Sequence, residues 1–241
     1  MLYASAPAYS LGVIDPIVEI REVAEKKGIW FHVDACVGGI LGPFVGRLGY
    51  PVPSFDFSPP GVSSISADHH KSGYAAKGAS TVLFRNPELQ KYSRYEFNDW
   101  PTGIYSTLTF TGIRPGGAIA VAWAVMNFLG ERGYLEIAST VMRARNGYEE
   151  GLSTIPQLHL WGHPDFWAIA FGADSFDILE AWQIMRERGW FLPPIREPWG
   201  IQLMITHVYE VVADEFIADL AAAVARLKEK GGKVDQKALR Y

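Results

Sequence analysis

Several scarcities bound what this 241-residue chain can be. Cysteine occurs once, at Cys36, so no internal disulfide can form. No charged leader with a short apolar core opens the chain, and the expected compartment is the cytoplasm. Basic charge is not in excess: 22 Lys and Arg face 26 Asp and Glu, a formal net charge of -4. That excludes the broad positive surface nucleic acid requires and leaves room only for a local basic pocket. Long apolar runs are missing too. The longest, Ala118 to Leu129, is broken by Asn127 and falls short of the ~20 residues a membrane-crossing helix needs. It reads as a buried helix, and no integral membrane segment is expected. No repeat of roughly 20–50 residues is found, which excludes solenoids and propellers.

What is present is a globular composition: 49% hydrophobic and 20% charged, enough for one or two packed cores. Helix and strand signals alternate. Asp15 before Pro16 reads as a helix N-cap, Ile17, Ile20, Val23 and Ala24 form an apolar stripe, and Gly28 closes that helix. A strand over Ile29 to Val33 then ends at Asp34. A second, Val62 to Ala67, ends at Asp68-His69-His70-Lys71, and a third spans Ser80 to Arg85. This is an α/β pattern. Gly116 to Phe128 and Glu131 to Glu150 give two helices that read as a connector. Past Pro156 come strands at Leu158 to Trp161, Phe166 to Phe171 and Ile201 to Thr206, with helices at Ser175 to Arg188 and Ala213 to Lys230: a small α+β domain. Gly231 to Tyr241 reads as a frayed tail.

Ligands of open α/β sheets bind beyond the carboxyl ends of the strands, where Asp34 and Lys71 both fall. A buried lysine there is disfavoured as ammonium and can act as an amine nucleophile. A carboxylate across the same pocket can hold a pyridinium nitrogen protonated. Those demands describe pyridoxal 5′-phosphate (PLP) chemistry.

Four ordered blocks carry a resemblance: His32-Val33-Asp34-Ala35-Cys36-Val37-Gly38-Gly39, then Ser64 to Gly78 with Asp68-His69-His70-Lys71, then Gly103-Ile104-Tyr105-Ser106, then Arg114-Pro115-Gly116-Gly117. With Ser5-Ala6-Pro7 and Gly12 to Pro16, the chain resembles the sphingosine-1-phosphate lyase branch of the PLP-dependent group II decarboxylase family. His69 and Ser72 depart from it, standing where that branch usually has threonine and tyrosine.

The resemblance implies a fold-type-I architecture: residues 1–130 as the C-terminal portion of the PLP-binding large domain, residues 131–241 as the small α+β domain. It implies Lys71 as the Schiff-base lysine, Asp34 as partner of the ring nitrogen and His70 against the cofactor phosphate. Position 36, here Cys36, is grouped with the cofactor-binding residues, although a single cysteine at a strand end is more often a small buried hydrophobe. Tyr9 and Lys77 match positions near the substrate's reacting end and phosphate. The implied reaction cleaves a phosphorylated long-chain base, a small-molecule substrate, to a fatty aldehyde and phosphoethanolamine, in a homodimer. An amino-acid decarboxylase using the same lysine and aspartate is the rival enzyme; an inactive fragment or partner subunit is the rival outside catalysis.

The family's phosphate-cradling loop and ring-stacking residue precede the segment matched here, so this polypeptide alone is expected to bind PLP weakly and turn over little. Blander readings compete at each position. Asp34 alone would be a turn former, Lys71 a surface lysine, and Tyr9 and Lys77 solvent-facing. Asp68-His69-His70 could be a metal cluster, but complementary aspartates are missing. His32 stacks or fills space, His159, His163 and His207 are structural, and Arg114 pairs structurally. Trp123, Trp161, Trp167 and Trp182 belong to core and interface.

Overall fold

A computed structural model describes residues 1–58 and 60–230, divided into two compact units. The tail from Gly231 lies outside the described residues. The first unit takes in Met1–Pro7 and Ile14–Tyr134, the second Ala8–Val13 and Leu135 onward.

In the first unit, β1 (Leu2–Ser5), β2 (Phe31–Asp34) and β3 (Ser64–Ala67) run parallel, and β4 (Thr81–Phe84) closes the sheet antiparallel, in the order β1-β2-β3-β4. Alternation explains the strands: Phe31 and Val33 are wholly buried on one face of β2, while His32 and Asp34 point from the other and stay half-exposed. Helix α1 (Ile17–Lys27) crosses between β1 and β2. It buries Ile17 and Ala24 and ends at Gly28, whose left-handed φ of 60° lets its N–H cap the helix. Asp15 is not the cap the sequence suggests. Its Oδ2 accepts the Ser5 N–H at 2.7 Å, because the carboxylate turns back to the end of β1.

Short helices α2 (Gly42–Arg47) and α3 (Pro87–Gln90) and a hairpin of β5 (Tyr95–Phe97) and β6 (Tyr105–Thr107) complete the unit before helix α4 (Gly116–Ser153). α4 is broken at Gly130, where φ is 57°. Its first half is not the buried helix expected from hydropathy. Ile119, Trp123 (70% exposed) and Phe128 face outward, since nothing else in the first unit covers them.

The second unit is an antiparallel sheet in the order β7 (Leu158–Leu160), β8 (Ala168–Ala173), β10 (Gly200–Met204), β9 (Pro194–Ile195). Helices α5 (Ile178–Glu187) and α6 (Ala213–Lys230) pack on each other, and α5 also on β10. Phe166, Ile169, Phe171, Leu179, Met185, Ile201 and Leu220 form its core. Ala8–Val13 is stitched to this unit. The Gly12 carbonyl accepts the Asp165 N–H at 3.0 Å, and buried Gln202 donates its side-chain amide to the Tyr9 carbonyl. Gly12 has φ +72° and a Cβ there would lie 1.8 Å from the Ala168 oxygen, so only glycine fits. No helix among the described residues is long and apolar enough to cross a membrane.

Candidate active site

Parallel register builds the site. His32 pairs with Ser64 and Asp34 with Ser66, so four polar side chains share one face of the sheet at the carboxyl ends of its strands. Asp34 Oδ1 accepts the Cys36 N–H at 3.0 Å and the Ser66 hydroxyl at 2.9 Å. Burial pushes the Asp34 carboxyl up, but hydrogen bonds from the Cys36 backbone and thiol and from Ser66, with His32 nearby, outweigh it and hold the group below the ordinary aspartate range.

Beyond Ala67 the chain turns to present Asp68, His69, His70 and Lys71. Lys71 Nζ donates to Cys36 Sγ at 3.0 Å and lies 3.1 Å from Asp68 Oδ2. Asp34 and Lys71 are therefore brought to one place, bridged by Cys36. Two expectations need correction. Lys71 is not a desolvated amine: its side chain is 37% exposed, and although burial lowers its pKa, Cys36 and Asp68 together hold the ammonium above the ordinary lysine range. Cys36 is no buried filler either. It is half-exposed, and burial together with the Asp34 carboxylate raises its thiol despite Lys71 pulling the other way.

The rest of the turn is held rigidly. Ser80 donates to Asp68, and the Ala79 carbonyl accepts both His70 N–H at 3.1 Å and His70 Nδ1 at 2.8 Å. A carbonyl only accepts, so Nδ1 carries the proton, and Nε2 faces Asp68 Oδ2 at 3.6 Å. Gly73 packs so closely on His69 that a Cβ would come within 2.6 Å of its oxygen, and the Tyr134 hydroxyl donates to the Gly73 carbonyl at 3.0 Å. Burial pushes the Tyr74 phenol up to about 12. Of the two departures from the family pattern, Ser72 donates to the Val37 carbonyl, while His69 Nδ1 is buried without a protein partner. Arg114 pairs structurally, with the Gly78 carbonyl at 3.1 Å.

Lys77 is exposed on the same loop, and Tyr9 is exposed in the second unit. A cavity of ≈ 400 Å³ lies elsewhere. Its walls include Ile65 and Ala67, which alternate with Ser64 and Ser66 and so point from the opposite face of β3. Sequence reasoning gave no role to Ser64, Ser66 and Ser80, and weighed Asp68 only as a metal ligand. The available signal was the paired spacing His32-x-Asp34 and Ser64-x-Ser66 on adjacent strands.

The pyridoxal-dependent decarboxylase conserved domain matches residues 3–171, and the chain belongs to that family of enzymes. Within it the chain is similar to sphingosine-1-phosphate lyases. It is 44% identical to that of Arabidopsis thaliana across 97% of this chain and 43% of the plant protein, and 40% identical to that of Rattus norvegicus across 94% and 40%. The chain thus spans less than half the length of these curated relatives. Among solved structures, a sphingosine-1-phosphate lyase of Burkholderia pseudomallei superposes with a TM-score of 0.91 at 38% identity, covering 96% of this chain and 53% of that one. A Lactobacillus brevis glutamate decarboxylase, at 21% identity and TM-score 0.77 over 96% and 56%, shares the fold. That fold is type I.

Proposed function

We propose that this polypeptide carries the lysine and aspartate half of a PLP-dependent carbon–carbon lyase that cleaves a phosphorylated long-chain base to a fatty aldehyde and phosphoethanolamine. One observation carries the reading: Asp34 and Lys71 converge on Cys36 at the carboxyl edge of the parallel strands. The donor set suits the cofactor. A lysine amine stands at the lip, and the Asp34 carboxylate has further lone pairs beyond the two bonds on Oδ1, which can accept from a ring N–H.

When bound, PLP supplies the electron sink that makes carbon–carbon cleavage accessible. Lys71 Nζ is the group that would anchor the cofactor covalently, and Asp68 Oδ2, 3.1 Å away, orients it. Asp34, held ionised, would keep the ring nitrogen protonated. His70, fixed through Nδ1 by Ala79, would meet the cofactor phosphate. Cys36, small and flanked by both charged partners, would border the cofactor. Tyr9 and Lys77 serve the substrate's reacting end and its phosphate, on the strength of their matching positions. The working species is a homodimer, and its compartment the cytoplasm; the exposed apolar side chains of Phe110, Ile113, Trp123 and Phe128 in the first unit support the pairing.

A substrate panel tests the reaction. The chain, supplied with PLP, is offered a phosphorylated long-chain base and a set of amino acids, and aldehyde and carbon dioxide are measured separately. Aldehyde from the phosphorylated base, however slow, is expected. Carbon dioxide from an amino acid with no aldehyde would reject the lyase in favour of a decarboxylase.

A further inference from the structure

A line of hydrogen bonds crosses the sheet face to Asp34. Trp30 Nε1 donates to Ser64 Oγ at 3.0 Å, and Ser64 Oγ lies 2.8 Å from His32 Nδ1. His32 Nε2 lies 3.3 Å from Ser66 Oγ, which donates to Asp34 Oδ1 at 2.9 Å. The carboxylate end fixes the proton of Ser66, and a neutral His32 ring fixes the rest. An indole N–H can only donate and a carboxylate can only accept. Ser66 spends its single proton on Asp34, so toward His32 it must accept, and Nε2 must carry a hydrogen. With the hydrogen on Nε2, a neutral ring leaves Nδ1 bare, and Ser64, accepting from Trp30 through one lone pair, directs its own proton there.

We propose that His32 is a positioning residue for Asp34, held neutral as the Nε2–H tautomer, and that the Trp30–Ser64–His32–Ser66 line keeps the Asp34 carboxylate ionised and aimed. Bonds that all point one way polarise each other in sequence, so each strengthens the next toward the carboxylate. The role is assigned through Ser66. The groups facing the imidazole are the Tyr3 ring from β1 at 4.9 Å between centroids, Ser64 and Ser66 from β3, and Asp34 on its own strand. Burial lowers the pKa of His32 and the Asp34 charge opposes this, leaving a net lowering that accords with a neutral ring. The inference gives a purpose to the reading of Asp34 as partner of a ring nitrogen and rests on that reading only for the purpose.

Nitrogen-15 NMR of the full chain, labelled at histidine and free of cofactor, reads the tautomer directly. At neutral pH His32 is expected to show a protonated Nε2 and an unprotonated Nδ1. Carbon-13 titration of Asp34 reads the consequence. Ser66→Ala should raise its midpoint by about one pH unit, a tenfold gain in proton affinity. His32→Phe, which keeps the ring against Tyr3, should raise it by about half that, and His32→Gln, which returns an N–H, should restore part of the loss. A His32 protonated on Nδ1 or on both nitrogens overturns the assignment with no variant needed. So does an Asp34 midpoint unmoved by both Ser66→Ala and His32→Phe. Failure of PLP to bind would count against the functional reading and leave these measurements untouched.

Discussion

Lys71 Nζ lies 3.0 Å from Cys36 Sγ, while Cys36 hydrogen-bonds the Asp34 carboxylate through its backbone N–H. A base and an acid 37 residues apart in sequence thus share one small neighbour, and the size of that neighbour sets the room between them.

The first prediction concerns that room. Cys36→Ala keeps the space and should change PLP affinity little, because the thiol contributes only weak hydrogen bonds. Cys36→Phe fills it and should weaken binding about tenfold or more, as overpacking a confined position does. Absorbance titration with PLP separates the two. Equal binding by both variants would show that Cys36 does not border the cofactor.

A second prediction follows from the pairing of Lys71 with Asp68 at 3.1 Å. Against burial, Cys36 and Asp68 together raise the lysine pKa in the folded chain, so their stabilisation is complete below the ordinary lysine value and is lost as pH rises through the elevated one. Asp68→Asn removes the charge and should bring the Lys71 midpoint down. Competitive acylation with acetic anhydride, followed by peptide mass analysis, should then find about three- to tenfold more label on Lys71 at mildly alkaline pH, with solvent exposure moderating the effect. Asp68→Glu should restore most of the wild-type profile.

The turn after β2 yields a third. A Cβ on Gly39 would lie 2.7 Å from both the Ala35 oxygen and the Ala67 Cβ, and neither can retreat because each belongs to the end of a packed strand or its turn. Gly39→Ala should cost about 1–3 kcal/mol in denaturant unfolding. An unchanged midpoint would mean that the turn is not held as described.

Much of this was legible in the sequence because the signals were local. The alternation around His32 to Asp34, the glycine closing α1 and the order of strand, helix and strand all follow from residue spacing, and the Asp34 and Lys71 motifs lie at strand ends. What escaped depends on partners brought from afar. Asp15 looked like a cap because its neighbour is Pro16, yet its carboxylate goes to Ser5. Lys71 reads as a desolvated amine from its place at a strand end, because the Cys36 sulfur that receives its hydrogen bond, 35 residues away, is supplied only by the fold. The run from Ala118 to Leu129 looked buried because hydropathy measures what a helix would prefer to cover, not what this unit offers to cover it with. Ser66 became visible only with the β2 to β3 register.

The most direct test of the central claim, that Lys71 is the cofactor lysine opposite Asp34, is chemical trapping. The chain is incubated with PLP, reduced with borohydride and digested, and the phosphopyridoxyl group is located by mass spectrometry. The account predicts that the label concentrates on the peptide bearing Lys71, and that Asp34→Ala reduces it there while labelling of surface lysines such as Lys26 and Lys91 is unaffected. Label spread evenly over the lysines, with Lys71 no more modified than the others, would contradict it.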